Sequence, residues 1–172
     1  LFVPERCVLK STRIGDMVRS NRDKFLSKKA WHSFKGYAFS ELRAVENRVA
    51  KGKRADSVAA NGADMKNLYH VVRLILEVEQ ILVEGDMELD RASAREHMKS
   101  VRAGNHSLAD IKAWFYDRER LLSAQYIASG LRASPDEALV KALLLQCLEE
   151  HFGSLEGSVS NGAAVAALNQ IS

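Results

Sequence analysis

The chain has 172 residues, 47% hydrophobic and 27% charged, with a formal net charge of +3. That balance belongs to an ordinary globular protein and excludes disordered and collagen-like classes. Arg73, Glu77 and Glu79 interrupt the most apolar stretch, so no run of about 18 uncharged apolar residues argues for a transmembrane helix.

Charge is unevenly spread. Residues 1–54 hold 14 Lys/Arg against 5 Asp/Glu, and the remainder holds 11 against 17. A basic third followed by an acidic remainder suggests a polyanionic partner for the first. It equally suits two surfaces that attract each other within the fold. Cys7 and Cys147 lie far apart with no metal-like spacing, and read as two buried free thiols of a reducing cytoplasm.

In chain order, Leu1-Phe2-Val3-Pro4 reads as an extended apolar lead-in, the kind of start expected of a piece excised from a longer polypeptide. A short helix is predicted within 12–25 around Ile14, Met17 and Val18. Ser27 is a good N-cap for a second helix running toward Ala50. Within it Trp31, Phe34, Tyr37 and Phe39 read as core, and Gly36 predicts a break or a close backbone approach. Lys51-Gly52-Lys53-Arg54 ends that segment, and the Ala-, Ser- and Asn-rich residues 55–62 read as a surface loop.

A long central helix is predicted over about 63–84, stopped by Gly85. Asp86 to Asp90 alternates like a short extended connector, and a helix follows over about 91–102, ending at Gly104. Ser107 and Asp110 form a capping-box pattern for a helix with Leu108, Ile111, Phe115 and Leu122 on one stripe and Trp114 and Leu121 beside it. Ser134-Pro135-Asp136-Glu137 places Ser134 at an N-cap and Pro135 at the first position of a last helix carrying Leu139, Val140, Leu143, Leu144, Cys147 and Leu148. Residues 153–172 read as a flexible tail with at most one short helix, 163–168. The expected architecture is therefore all-α, an irregular bundle of about five to six helices, with a lead-in over 1–26 and a helical domain over 27–152.

The central helix carries the most informative pattern. Lys66, His70, Arg73, Glu77, Gln80 and Glu84 fall on one line, while most neighbouring positions are apolar. Such a line in a mostly buried helix needs water, charge partners or an anionic ligand. Lys66 and Arg73 suit phosphate oxygens, with His70 orienting the ligand or donating a proton. An internal ladder, with Glu77 answering Arg73 four residues on, explains the same residues.

Ser27, Lys28 and Lys29 at a helix start could receive an anion, or form an ordinary capped helix with solvated lysines. Arg102 stands at a helix end, where arginines often only cap carbonyls. His32, His97, His106 and His151 lack zinc-ligand spacing. The pair Asp86 and Glu88 has metal-binding separation, but a polar connector explains it better. Phosphate-loop, dinucleotide-fold and nucleophile-elbow motifs are missing from the sequence.

Taken together, Leu1-Phe-Val-Pro4, Phe25-Leu-Ser-Lys28, Phe34-Lys-Gly-Tyr37-Ala38, Lys66-Asn-Leu-Tyr-His70-Val-Val-Arg73-Leu74, Gly85 and Val101-Arg102-Ala-Gly104 resemble a known family. They are similar, over about residues 1–150, to the C-terminal helical part of predicted nucleotidyltransferases related to DNA polymerase beta. The narrower likeness is to the branch associated with RNA-repair pathways and often carried by phages. In that family an N-terminal α/β domain holds Mg²⁺ and the nucleoside triphosphate with a Gly-Ser turn and paired carboxylates. Here Gly153-Ser154 and Gly157-Ser158 have no Asp after them.

The resemblance thus implies a helical, substrate-side domain of a larger α/β plus α enzyme, with the Mg²⁺ site in a partner catalytic domain and no activity or bound cofactor in this stretch alone. It implies an NTP donor, an acceptor with RNA among the candidates, no membrane, and a cytoplasmic location, that of the host if phage-encoded. Lys66, His70 and Arg73 match the family's motif and inherit a cleft-facing position; Ser27, Lys28 and Arg102 match shorter pieces. Asn105 departs from the acidic residue the pattern expects after Gly104. The other class of function is a non-catalytic helical module whose basic first third binds nucleic acid or a partner protein.

Overall fold

The computed structural model describes residues 1–47, 52–90 and 92–155. Seven α-helices and two short 3-10 turns make up its regular structure, and no strand occurs among the described residues. They are α1 (Arg13–Ser20), α2 (Lys29–Asn47), α3 (Lys53–Asn61), α4 (Met65–Glu84), α5 (Ala92–Arg102), α6 (Leu108–Ala128) and α7 (Glu137–Phe152). The 3-10 turns are Glu5–Cys7 and Arg22–Phe25. Among the described residues no helix is long and apolar enough to cross a membrane.

The fold is built around α4. Eleven of its 20 residues are buried, so it is covered on several sides rather than along one stripe. Leu68, Val71, Val72, Ile75 and Val78 meet Trp31, Ala38 and Leu42 of α2, Val101 of α5, and Ile111, Phe115 and Leu122 of α6 in one core. The other layer is smaller: α7 packs on α1 and on the Arg22–Phe25 turn. Of the apolar residues on α7 only Leu143 is buried, and Leu139 and Leu144 are exposed.

Local signals explain most helix ends. Thr12 Oγ1 accepts from the Gly15 N–H at 3.1 Å and opens α1. Asp64 Oδ1 accepts from the amides of Lys66 (3.0 Å) and Asn67 (3.3 Å) and opens α4. Ser107 and Asp110 form the expected reciprocal capping box of α6. Gly85, at φ +69°, closes α4 in the left-handed conformation.

Several expectations are corrected. Residues 55–61 are helical, within α3, instead of a loop. Ala and polar helix formers suffice there, and the Ser57 hydroxyl ties the helix to the next one by accepting from the Met65 N–H (3.4 Å). Gly36 neither breaks α2 nor admits a close neighbour, since a Cβ there would meet nothing within 4 Å. The last helix is capped by Asp136, whose carboxylate accepts from Leu139 N–H at 3.0 Å, so it begins two residues later than the Ser134 signal implied. Cys7 is exposed and Cys147 partly exposed; both are free thiols, but neither is buried. Tyr37 is half exposed, whereas Trp31 is core. Ala50 and the 163–168 segment lie outside the described residues.

The two charge populations meet. Arg6 pairs with Asp90, Arg13 with Glu150 (3.4 Å), Arg22 with Asp86 (2.7 Å) and Lys35 with Glu119 (3.3 Å). At least four cations of the basic third are thus answered from the acidic remainder.

Candidate functional site

The polar line on α4 divides into two parts. Its C-terminal half is an internal ladder. Arg73 Nη1 donates to Glu77 Oε1 at 2.8 Å, and Gln80 Nε2 donates to Glu84 Oε2 at 3.2 Å. Gln80 Oε1 in turn accepts from the Glu88 amide at 2.9 Å. Burial pushes the Glu77 carboxyl above its ordinary range, and Arg73 works against that shift. Arg73 therefore has its charge partner inside the fold, beside a small cavity of about 80 Å³.

The N-terminal half opens to solvent. A groove of about 590 Å³ lies where α2, α4 and the end of α5 converge. From α4 it receives Lys66, His70, Asn67 and Tyr69; from α2, Tyr37 and Glu41; from α5, Arg102. Lys66 and Arg102 are exposed and enter no ion pair among the described residues. The Arg102 guanidinium lies 5.9 Å from the centre of the Tyr69 ring, a cation–π arrangement that holds it over the groove wall. The Tyr37 and His70 rings meet edge to face with centres 5.3 Å apart.

One contact fixes the state of the neutral His70 ring. Arg73 Nη2 lies 3.0 Å from His70 Nδ1. A guanidinium can only donate, so Nδ1 accepts, and the ring proton of the neutral imidazole sits on Nε2. His70 is thereby set up as a hydrogen-bond donor from its other nitrogen. Arg73 contributes to the groove through this orientation rather than through its own charge.

Arg102 owes its place to the turn after it. Gly104 is left-handed at φ +84°, its amide donates to Val101 O (3.1 Å), and the Asn105 amide donates to Ser100 O (3.1 Å). This pair of bonds is a Schellman closure of α5. Asn105 is used there through its backbone, with its side-chain amide 3.4 Å from Ser100 Oγ.

Ser27 and Lys28 sit elsewhere. Ser27 is buried, and its carbonyl accepts from the Ala30 amide (3.1 Å) in the first turn of α2. The Lys28 amide donates to Arg132 O (2.8 Å), and its Nζ reaches the Ile127 carbonyl (3.4 Å) near the end of α6, with the Tyr126 ring 5.8 Å away. A cation at that position complements the negative helix end. Neither residue lines the groove.

Among the groove residues, Glu41 is one that sequence reasoning did not single out, and Tyr37 is one that it read as core. Their spacing of four on α2 puts them on one face, but nothing local says that this face meets Lys66. No group of three or more His, Cys, Asp or Glu positioned to hold a metal occurs among the described residues. Asp86, half of the one suggestive carboxylate pair, is held bidentately by Arg22, Nε to Oδ1 at 3.1 Å and Nη2 to Oδ2 at 2.7 Å. These residues do not fit a Mg²⁺ site. Compared with known proteins, the chain matches no family model, and no curated protein or solved structure is similar to it beyond chance.

Proposed function

We propose that this chain is the helical, substrate-side part of a cytoplasmic nucleotidyltransferase and that the α2–α4–α5 groove receives the phosphates of a nucleotide or of an RNA acceptor. The observation that carries the reading is the pair of exposed cations, Lys66 of α4 and Arg102 of α5, that line one groove and enter no ion pair among the described residues. Two cations lining one concavity suit an oligophosphate better than a single surface lysine does. The Nε2–H of His70 adds a further donor beside them. In this proposal the carboxylates that bind Mg²⁺ belong to a separate α/β catalytic domain.

The second reading, a non-catalytic module binding through the basic first third, is less well supported. Arg6, Arg13, Arg22 and Lys35 are already paired within the fold. It still makes a distinct prediction, since its binding would survive loss of the groove cations.

The test is equilibrium binding of nucleoside triphosphates and of a short 5′-phosphorylated RNA to the 172-residue chain. Lys66→Ala and Arg102→Ala should each weaken binding by about tenfold or more, the value of a charge-assisted hydrogen bond. RNA affinity should also fall steeply with salt. Both residues are exposed, so thermal stability should be unchanged. Binding that is absent, or indifferent to both substitutions, sinks the groove reading.

A further inference from the structure

The groove that we read as a phosphate site also contains a carboxylate. Glu41 stands one turn after Tyr37 on the same face of α2, is partly exposed, and enters no ion pair or hydrogen bond among the described residues. An anion placed in a phosphate groove repels the ligand unless it faces another part of it. The ligand must therefore carry hydrogen-bond donors at some distance from its negative charge. Beside Glu41 is the half-exposed ring of Tyr37, with 50% of its surface open. The ring meets His70 edge to face at 5.3 Å between centres and still lines the groove, and an aromatic ring open to a groove is a stacking platform for a base.

Phosphate cations, an aromatic platform and a carboxylate acceptor in about 590 Å³ describe a nucleotide pocket of ordinary size. The carboxylate then selects among bases. Guanine presents two adjacent donors, N1–H and N2–H, to the two oxygens of a carboxylate. Adenine and cytosine each present one amino group next to a ring nitrogen whose lone pair would face the second carboxylate oxygen. Uracil presents a single N–H between two carbonyls. Only guanine offers a bidentate match.

We propose that the groove is selective for guanine, with Glu41 accepting from the Watson–Crick edge, Tyr37 stacking on the base, and Lys66 and Arg102 holding the phosphates. The proposal rests on the phosphate reading of the same groove. Guanine can arrive as a free nucleotide or as the 5′-terminal residue of an RNA; the recognition chemistry is shared.

The experiment is calorimetric titration of the 172-residue chain with GTP, ATP, CTP and UTP. A parallel series uses 5′-phosphorylated oligoribonucleotides beginning with G or A. Guanine should bind about tenfold or more tightly than the other bases in at least one format, and that format identifies the source. Glu41→Gln should remove the preference and shift it toward adenine and cytosine, whose amino group and ring nitrogen match an amide. Glu41→Gln changes one atom at a partly exposed helix position, so folding is retained, and a change in base order is not something a purely structural role would produce. Equal affinity for all bases in wild type overturns the guanine assignment and leaves the phosphate reading standing. A guanine preference that survives Glu41→Gln overturns the role of Glu41. Failure of every ligand to bind overturns both readings.

Discussion

Gly36 and Gly104 are the same residue serving opposite ends. Gly36 lies exposed in the middle of α2 with open space around it, so it only costs helix stability. Gly36→Ala should stabilise the fold by about 0.5–1 kcal/mol. Gly104 has φ +84°, and a Cβ there would run into the Asn61 side-chain amide. Gly104→Ala should destabilise by roughly 1–2 kcal/mol from backbone strain alone. Urea midpoints with unchanged slopes would check both values. The sequence marks Gly104 correctly as a helix stop, because a glycine after a cationic last turn is a local signal. It misleads at Gly36, because a glycine that is merely tolerated looks the same as one that is required.

At the scale of elements, the α5–α6 contact contains a pH-sensitive histidine. His97 meets His106 edge to face (5.3 Å between ring centres) and Trp114 at a tilt (5.7 Å), and its Nε2 is buried without a hydrogen bond among the described residues. Burial, then the neighbouring His106 and Arg118, holds its pKa below the ordinary 6.5. The unfolded chain therefore takes up this proton at higher pH than the folded one. The stabilisation is complete above pH 6.5 and is lost as pH falls from there through the lower, folded-state pKa. His97→Phe should flatten the fall in unfolding free energy just below pH 6.5, measured by denaturant titration across pH. An equal slope in wild type and variant would remove His97 from the account. None of this is visible in the sequence, which shows His97 and His106 only as isolated residues outside any metal motif. The helices themselves were visible, because a hydrogen-bonded turn and its caps involve residues three or four apart. The exception is α3, whose short run has no apolar stripe to announce it and rests on its tie to Met65.

Over the whole molecule, α4 is the axis on which α2, α5 and α6 pack, and the measure of that core is Phe115, 1% exposed in α6. Phe115→Ala should cost about 3–5 kcal/mol by loss of contacts and a residual cavity, read as a large drop in urea midpoint. The bridges between the basic third and the acidic remainder are mostly exposed, and each contributes little by itself. Their larger consequence is electrostatic: they neutralise cations that composition alone would count toward a polyanion surface.

The sequence by itself determined that the chain is helical, where most helices start and stop, and that α4 carries a polar line through an otherwise buried helix. These follow from periodicity and capping, which act within a turn or two. Tertiary structure decided which part of that line is a ladder and which is a groove. Lys66 and His70 became groove residues because Tyr37 and Glu41 of α2 and Arg102 of α5 arrive beside them, each about 30 residues away along the chain. Arg73 turned inward because Glu77 lies half-buried within reach. Spacing along one helix lists which side chains share a face; only the packing of other helices against it decides what that face meets.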